Sequence, residues 1–177
     1  MKKAIAILLI ILSFLIIYFL QQNVFTWFTI SKISPNLFVI LILIIGLFAG
    51  KKIGFILGVI FGMYLDITCG KLLGQTALML GIIGILGEYW DKKYTKESRI
   101  SLMLMVSIAT LIYEFGVYAF SVLKFGSMIE ITQFLKILFI EIIYNLIIII
   151  IIYPLIQKLG NMLEETFKEK RIITKYY

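Results

Sequence analysis

Residues 54–74 read GFILGVIFGMYLDITCGKLLG, in which glycine recurs at every fourth position and one aspartate joins the series. The members of the series are Gly54, Gly58, Gly62, Asp66, Gly70 and Gly74. Glycine weakens a helix interior by roughly 0.5–1 kcal/mol relative to alanine, so its repetition needs a compensating contact. In lipid, small residues at this spacing let two helix backbones approach closely. The stretch therefore predicts a membrane helix that packs tightly against another helix.

The first three glycines of the series form a furrow, because residues four apart lie on neighbouring turns of nearly one face. The pattern leaves two occupants open: a neighbouring helix of the same chain, or a helix of another protein. Asp66 falls near the outer boundary of the predicted helix, and Gly70 is suited to a positive φ that ends it. We expect a capped turn there, in which Asp66 pairs with Lys71.

The composition is that of an integral membrane protein. Of the 177 residues, 62% are hydrophobic and the mean hydropathy is +1.05, whereas soluble domains average about 45–50% apolar residues. The absence of histidine and the single cysteine exclude Ser-His-Asp and Cys-His catalysis and any internal disulfide. We therefore predict no catalytic residues, no metal and no cofactor. The net charge of +7 is interpreted as basic residues flanking membrane helices, not as a nucleic-acid surface.

Six segments are long enough, or nearly so, to cross about 30 Å of hydrocarbon. The predicted spans are residues 4–20, 35–49, 53–68, 72–90, 100–123 and 134–156. A cytoplasmic N-terminus leaves most of the 17 basic residues on the cytoplasmic side. The sequence thus predicts one transmembrane domain, an all-α six-helix bundle with both termini cytoplasmic and a short tail at 159–177. Glu88, at the inner end of the fourth span, is interpreted as reaching the headgroup level.

Acidic side chains also occur within the predicted spans. Glu114, Glu141 and Asp66 fall in the outer half of the membrane, and an acid within a span costs up to about 2.5–3.5 kcal/mol by insertion scales. Asn145 shares a helix face with Glu141, and Tyr118 offers a hydroxyl near Glu114. Three interpretations stay open: protonated acids bonded within the bundle, a polar cavity open to the outside, or a docking site for a partner helix or periplasmic segment.

The motifs on which a family resemblance rests lie in the first half of the chain. They are the stretch 54–78 with Gly58, Asp66, Gly70 and Gly74, the second span SPNLFVILIL at 34–43, and the GKK hairpin at 50–52. Together they resemble the rod shape-determining protein MreD family. The resemblance implies a non-enzymatic scaffold of the bacterial inner membrane that acts in cell elongation, rod-shape maintenance and lateral peptidoglycan synthesis.

The same resemblance implies partners. These are a bitopic membrane protein of the MreC type and, indirectly, an MreB-like actin homologue and peptidoglycan synthases. It makes the glycine series and the outer acids candidates for contacting the MreC-like partner. The main alternative is a substrate-binding subunit of an energy-coupling vitamin transporter, a class of small six-span bundles whose general fold this chain is expected to resemble. In that case the outer acids and Tyr118 would line a solute pocket. A lipid-processing enzyme is disfavoured, because the acids lack a paired arrangement.

Overall fold

The computed structural model describes residues 2–31, 33–70, 72–91, 98–125 and 131–168, and the architecture within these ranges is all-α. The α-helices are α1 (Lys2–Phe19), α2 (Leu37–Ala49), α3 (Lys51–Thr68), α4 (Gln75–Asp91), α5 (Arg99–Phe125) and α6 (Ile131–Phe167). A π-helical turn, Leu20–Val24, extends α1. Among the described residues, the helical stretches Lys2–Val24, Arg99–Leu123 and Ile131–Phe167 are long and apolar enough to cross a membrane. The all-α prediction is confirmed, and the chain is a membrane protein by these criteria.

Helix α2 lies at the centre of the bundle. All of its residues except Leu41 are buried, as expected for a helix that is hydrophobic on every side. Each of the other five α-helices packs against it. With 13 residues, α2 is only about 20 Å long, so it is shorter than the hydrocarbon core of a bilayer. Its first backbone amides therefore need polar partners inside the protein.

Gly50 joins α2 to α3 in a tight turn. Its φ of 98° is in the left-handed region that glycine adopts without strain, and α3 begins at the next residue, Lys51. Helices α3 and α4 then form an antiparallel pair with the most extensive contact in the bundle. We call the end of the bundle where α2 and α4 begin the capped end. The opposite end, at the turn between α2 and α3, is called the Gly50 end.

Helix α6 is longer than the predicted sixth span. It continues beyond Ile156 to Phe167, with Pro154 inside it. Gly160 lies so close to α2 that an added Cβ would be 2.6 Å from Cζ of Phe48. Part of the predicted tail at 159–177 is thus helix packed against α2, and residues 169–177 lie outside the described residues.

Lys168 ties the end of α6 to two other helices. Its Nζ donates to the carbonyl oxygen of Leu47 at 2.6 Å and forms an ion pair with Oδ2 of Asp91 at 2.6 Å. Leu47 lies in the last turn of α2, whose carbonyls have no partner within the helix and attract cations. This contact therefore joins α6, α2 and α4 at the Gly50 end.

Candidate functional site

The glycine furrow of α3 is filled by α4 of the same chain. A Cβ added at Gly58 would lie 2.6 Å from the carbonyl oxygen of Leu80, and one at Gly54 would lie 2.7 Å from that of Gly84. At Gly62 the added atom would meet the backbone of Ala77. Real Cβ atoms essentially never come so close to backbone, so any larger residue must separate the two helices. The sequence left open whether the furrow holds a helix of the same chain or a helix of another protein. In the structure it holds α4 of the same chain.

Glycines on α2 and α4 complete this contact. A Cβ at Gly54 would also lie 2.7 Å from Cα of Gly46, and one at Gly87 would lie 2.6 Å from the backbone nitrogen of Leu47. Helices α2, α3 and α4 therefore meet backbone to backbone around Gly46, Gly54 and Gly84. We call this three-helix contact the glycine block. The repeated glycines of GIIGILG at 81–87 were a further sequence signal for this contact, in addition to the series at 54–74.

Asp66 caps the first turn of α4. Its side chain is 1% exposed. Oδ2 accepts hydrogen bonds from the backbone amides of Gly74 at 2.9 Å and Ala77 at 3.3 Å, and Oδ1 accepts from Thr76 at 3.1 Å. These amides have no partner within the helix, and a carboxylate is favoured at the positive end of a helix dipole. The carboxylate in the glycine series is thus a helix cap that reaches across from α3.

The turn between α3 and α4 depends on two glycines with positive φ. Gly70 has φ 62° and follows the C-cap residue Cys69, as the sequence predicted, and Gly74 has φ 90°. An added Cβ would have no neighbour within 4 Å at either glycine. Backbone conformation, not lack of space, therefore explains glycine here. Lys71, the expected ion-pair partner of Asp66, lies outside the described residues.

Glu88 makes the reciprocal cap at the Gly50 end. Its Oε2 accepts a hydrogen bond of 2.6 Å from the backbone amide of Lys51, the first residue of α3. Each helix of the antiparallel pair thus carries an acid near its C-terminal end that caps the first turn of the other. The interpretation of Glu88 as a side chain at the headgroup level did not include this capping role, which the structure adds. The sequence signal for these two caps was an acidic residue near the end of the predicted third span and another near the end of the predicted fourth span.

Asn145 binds the start of α2 from α6. It is fully buried, and its Oδ1 accepts from the backbone amide of Asn36 at 2.9 Å, while its Nδ2 donates to Oγ1 of Thr110 at 2.8 Å. Asn36 in turn accepts from the amide of Val39 at 3.3 Å, as an N-cap residue does. Asn145 therefore links α6, α5 and the first turn of α2.

Gln21 binds the same turn from the segment that follows α1. Its Oε1 accepts from the amide of Leu37 at 3.1 Å, and its Nε2 donates to the carbonyl oxygen of Pro35 at 2.7 Å. The early end of α2 is thus satisfied by side chains from separate parts of the chain, as a helix start inside an apolar bundle requires. Asn145 was a predicted polar site residue, whereas Gln21, Asn36 and Thr110 carried no sequence signal that predicted these contacts.

The remaining predicted polar residues lie on α5 and α6, also towards the capped end. Glu141 is 5% exposed, whereas Glu114 and Tyr118 are half-buried on α5. Tyr113, next to Glu114 on α5, is buried. The ring of Tyr118 packs against Phe134 with centroids 4.6 Å apart. Glu114 and Tyr118 thus face partly outward, while Asp66, Glu141 and Asn145 are enclosed.

A comparison with known protein families identifies the family of this chain. The family model described as rod shape-determining protein MreD matches residues 1–163. This chain belongs to the MreD family. The match extends from α1 into the last turns of α6, so the resemblance noted at 54–78 is confirmed across the bundle. Membership implies a role in rod-shape determination, in a family of structural proteins that is not a known enzyme family.

Other comparisons add no further relative. No curated protein and no solved structure matches the chain. Within the described parts of the chain, no cluster of three or more histidine, cysteine, aspartate or glutamate side chains could hold a metal ion. The polar atoms of Asp66 and Asn145 described above bind backbone amides and a threonine hydroxyl. The candidate site of this MreD-family chain therefore consists of the glycine block and of the helix caps at the two ends of the bundle.

Proposed function

We propose that this chain is a non-enzymatic scaffold of the bacterial inner membrane, with six spans and both termini in the cytoplasm. In this role it holds a bitopic protein of the MreC type within the cell-elongation machinery. It thereby supports rod shape and lateral peptidoglycan synthesis, and it acts on an MreB-like actin homologue and on peptidoglycan synthases only indirectly. Membership of the MreD family supports the proposal.

The observation that carries the scaffold role is the glycine block with its caps. Backbone contact among α2, α3 and α4 leaves little freedom for these helices to slide, and Asp66 and Glu88 bind the α3–α4 pair at both ends. A carboxylate that already accepts three backbone hydrogen bonds is also poorly placed for acid–base chemistry. These properties suit a rigid surface for a partner better than they suit a reaction centre.

We propose that the partner helix packs on α5, because α4 already occupies the furrow of α3. The outward face of α5 carries a stripe of exposed apolar side chains: Ile100, Leu104, Ile108, Leu111 and Phe115. Glu114 and Tyr118 lie beside this stripe and are half-buried. Glu114 is about 22 Å along the helix from Arg99, so it lies within membrane depth. Polar side chains beside an apolar stripe can hydrogen-bond to a neighbouring helix in lipid, which favours this face of α5 for a partner helix.

Replacement of Glu114 tests this surface. We expect Glu114→Leu to lower the recovery of the MreC-like protein with affinity-tagged chain by about tenfold, the effect of about 1.4 kcal/mol. Thermal unfolding of each purified variant gives the amount of folded chain, and recovery is compared at equal amounts of folded chain. Phe139→Leu, at an exposed position on α6, is the matched control and should leave recovery unchanged. Equal recovery for Glu114→Leu and the unmodified chain would contradict the proposed surface.

Depletion in the native host tests the function independently of the surface. Loss of the chain should convert rods into rounded cells, with new wall material no longer inserted along the side walls. Depleted cells that keep their rod form would overturn the scaffold proposal. The vitamin-transport alternative gains no support from Asp66 or Asn145, whose polar atoms are used within the bundle. Recovery of one vitamin molecule per purified chain by mass spectrometry would nevertheless favour it.

A further inference from the structure

An apolar cleft of about 450 Å³ runs between α1, α2 and α6. Its lining is almost entirely aliphatic and includes Ile10, Ile17, Ile40, Ile44, Ile152 and Leu159. The lining also includes Ser13, but its hydroxyl donates to the carbonyl oxygen of Leu9 at 2.8 Å and is thereby used within α1. The cleft thus offers an occupant dispersion contacts and hardly any hydrogen bonds.

The cleft exists because α1 touches the bundle along one narrow line. The buried residues of α1 are Ala6, Ile10 and Phe14. The Phe14 ring stacks on Phe61 of α3, with centroids 4.0 Å apart, which draws α1 towards α3. Helix α1 also contacts α2 and α6, and the cleft opens among these three helices. The lining extends along α1 from Leu9 to Leu20, which corresponds to about 17 Å.

The size of the cleft selects among membrane components. Its volume falls in the range of about 300–1,000 Å³ typical of sites for small molecules. A 20 Å length of helix, taken as a cylinder about 10 Å across, fills about 1,600 Å³, so a helix could only lie across the opening. The length of about 17 Å is close to one leaflet of a hydrocarbon core about 30 Å thick. A single acyl chain therefore matches the cleft in length and polarity.

Basic residues flank the cleft towards the Gly50 end. Lys2 and Lys3 are exposed on the first turn of α1, and Lys158 is exposed on α6 between the lining residues Leu155 and Leu159. Basic groups beside a groove between membrane helices attract anionic headgroups. Lys168 does not belong to this set, because it is paired with Asp91.

We propose that this cleft binds an anionic phospholipid, with one acyl chain between α1, α2 and α6. Its phosphate is held by the ammonium groups of Lys2, Lys3 and Lys158. The lipid fills the gap beside α1 and thereby fixes this helix to the bundle. The proposal does not depend on the scaffold role, because it concerns a different face from the α5 stripe.

The acyl-chain part is tested with purified full-length protein in detergent, titrated with phosphatidylglycerol or phosphatidylcholine while thermal unfolding is followed. A ligand that binds the folded state raises the unfolding midpoint, and the rise grows with the logarithm of ligand concentration over Kd. At equal concentrations, phosphatidylglycerol should therefore raise the midpoint by several degrees more than phosphatidylcholine. Ile152→Trp fills the cleft and should abolish this difference. The adjacent Ile151→Trp, at a position that is 68% exposed and outside the lining, should preserve it.

A second pair keeps the test informative if Ile152→Trp does not fold. Leu12 lines the cleft and is 49% exposed, whereas Leu8 is 65% exposed and lies outside the lining. Leu12→Trp should therefore reduce the response to phosphatidylglycerol, and Leu8→Trp should not. Equal responses within both tryptophan pairs, whether lost or retained, would overturn the cleft as the binding site.

The headgroup part is tested at Lys158. Lys158→Gln should reduce the preference for phosphatidylglycerol over phosphatidylcholine several-fold. Lys52→Gln, which removes an exposed lysine of α3 at the same end, should leave the preference unchanged. Native mass spectrometry of the unmodified protein should detect a retained anionic phospholipid. Retention of only zwitterionic lipid, or equal stabilisation by the two lipids, would overturn the proposal.

Discussion

The carboxylate of Asp66 lies where three backbone amides at the start of α4 converge. Hydrogen bonds to an ionised acceptor are roughly twice as strong as those between neutral groups, and the helix dipole adds to them. The same residue, viewed as an intramembrane acid, suggests a functional group. Its burial and its three donors instead explain it as the group that fixes the turn between α3 and α4.

At this scale the first prediction concerns removal of the cap. Asp66→Leu should destabilise the bundle by about 2 kcal/mol, because it leaves the amides at the start of α4 without their acceptor. Asp66→Asn keeps one acceptor oxygen of similar position and should lose less. Thermal unfolding of the purified variants in detergent measures both. A leucine variant as stable as the unmodified chain, or more stable than the asparagine variant, would contradict the capping role.

Helices α3 and α4 illustrate packing at the scale of elements. Their contact is made by backbone atoms on both sides, and α2 joins it through Gly46. Backbone cannot move aside as a side chain can, so such a contact tolerates no added volume. The antiparallel arrangement also brings the C-terminal acid of each helix to the start of the other, which couples capping to packing. The pair therefore behaves as one structural unit.

The second prediction compares two glycines of this pair. Gly58→Ala should destabilise the bundle by about 1–3 kcal/mol through overpacking, despite the better helix propensity of alanine. An added Cβ there would lie 2.6 Å from a backbone oxygen. Gly81→Ala is the control, because its Cβ would meet side-chain atoms of Val59 at 3.0 Å and Phe55 at 3.2 Å, which can adjust. Equal unfolding midpoints for the two variants would contradict the backbone contact.

The contact between α3 and α4 also determines how a glycine substitution should affect partner binding. Because α4 fills the furrow, bulky residues at Gly58 or Gly62 should reduce recovery of the MreC-like protein only as far as they reduce the amount of folded chain. A direct contact at the furrow would instead lower recovery at constant stability. For each variant, the recovery of the MreC-like protein is divided by the amount of folded chain. A constant ratio indicates an effect through folding, and a lowered ratio indicates a direct contact at the furrow.

At the scale of the whole molecule, the bundle is organised around α2, the shortest of the described α-helices. Helix α2 is enclosed by the other helices, and its early end is satisfied by Gln21 and Asn145, while Lys168 binds its late end. A buried short helix of this kind is stable in lipid only when the surrounding chain supplies its missing hydrogen bonds. The central helix therefore depends on chain segments from both ends of the sequence.

The third prediction concerns the orientation of the whole bundle, and Cys69 provides the probe. This cysteine is exposed at the capped end, where α3 terminates. In the proposed six-span topology, Cys69 lies at the outer face of the inner membrane. A membrane-impermeant maleimide that reaches this face should label Cys69 in intact cells. A Lys52→Cys variant in a Cys69→Ser background, at the Gly50 end, should be labelled only after the membrane is opened. The reverse pattern would invert the proposed topology.

The sequence by itself determined the features that depend on local pattern. Hydropathy and helix length indicated an all-α membrane protein with helical segments close to the observed ones, since apolar periodicity acts within one segment. The four-residue glycine repeat indicated a close helix contact on α3, and Gly70 indicated where that helix ends. The family was also recognisable from residues 54–78, as the match over residues 1–163 confirmed.

Only the tertiary structure decided which groups meet. Asn36 and Asn145 are 109 positions apart in sequence, and Lys51 and Glu88 are 37 apart, so no local pattern links their hydrogen bonds. The identity of the helix in the furrow, the central place of α2 and the cleft beside α1 likewise depend on how the helices are arranged. In lipid, many helix pairs offer similar apolar faces, and the choice among them is made by backbone fit and by the need to satisfy each buried polar group.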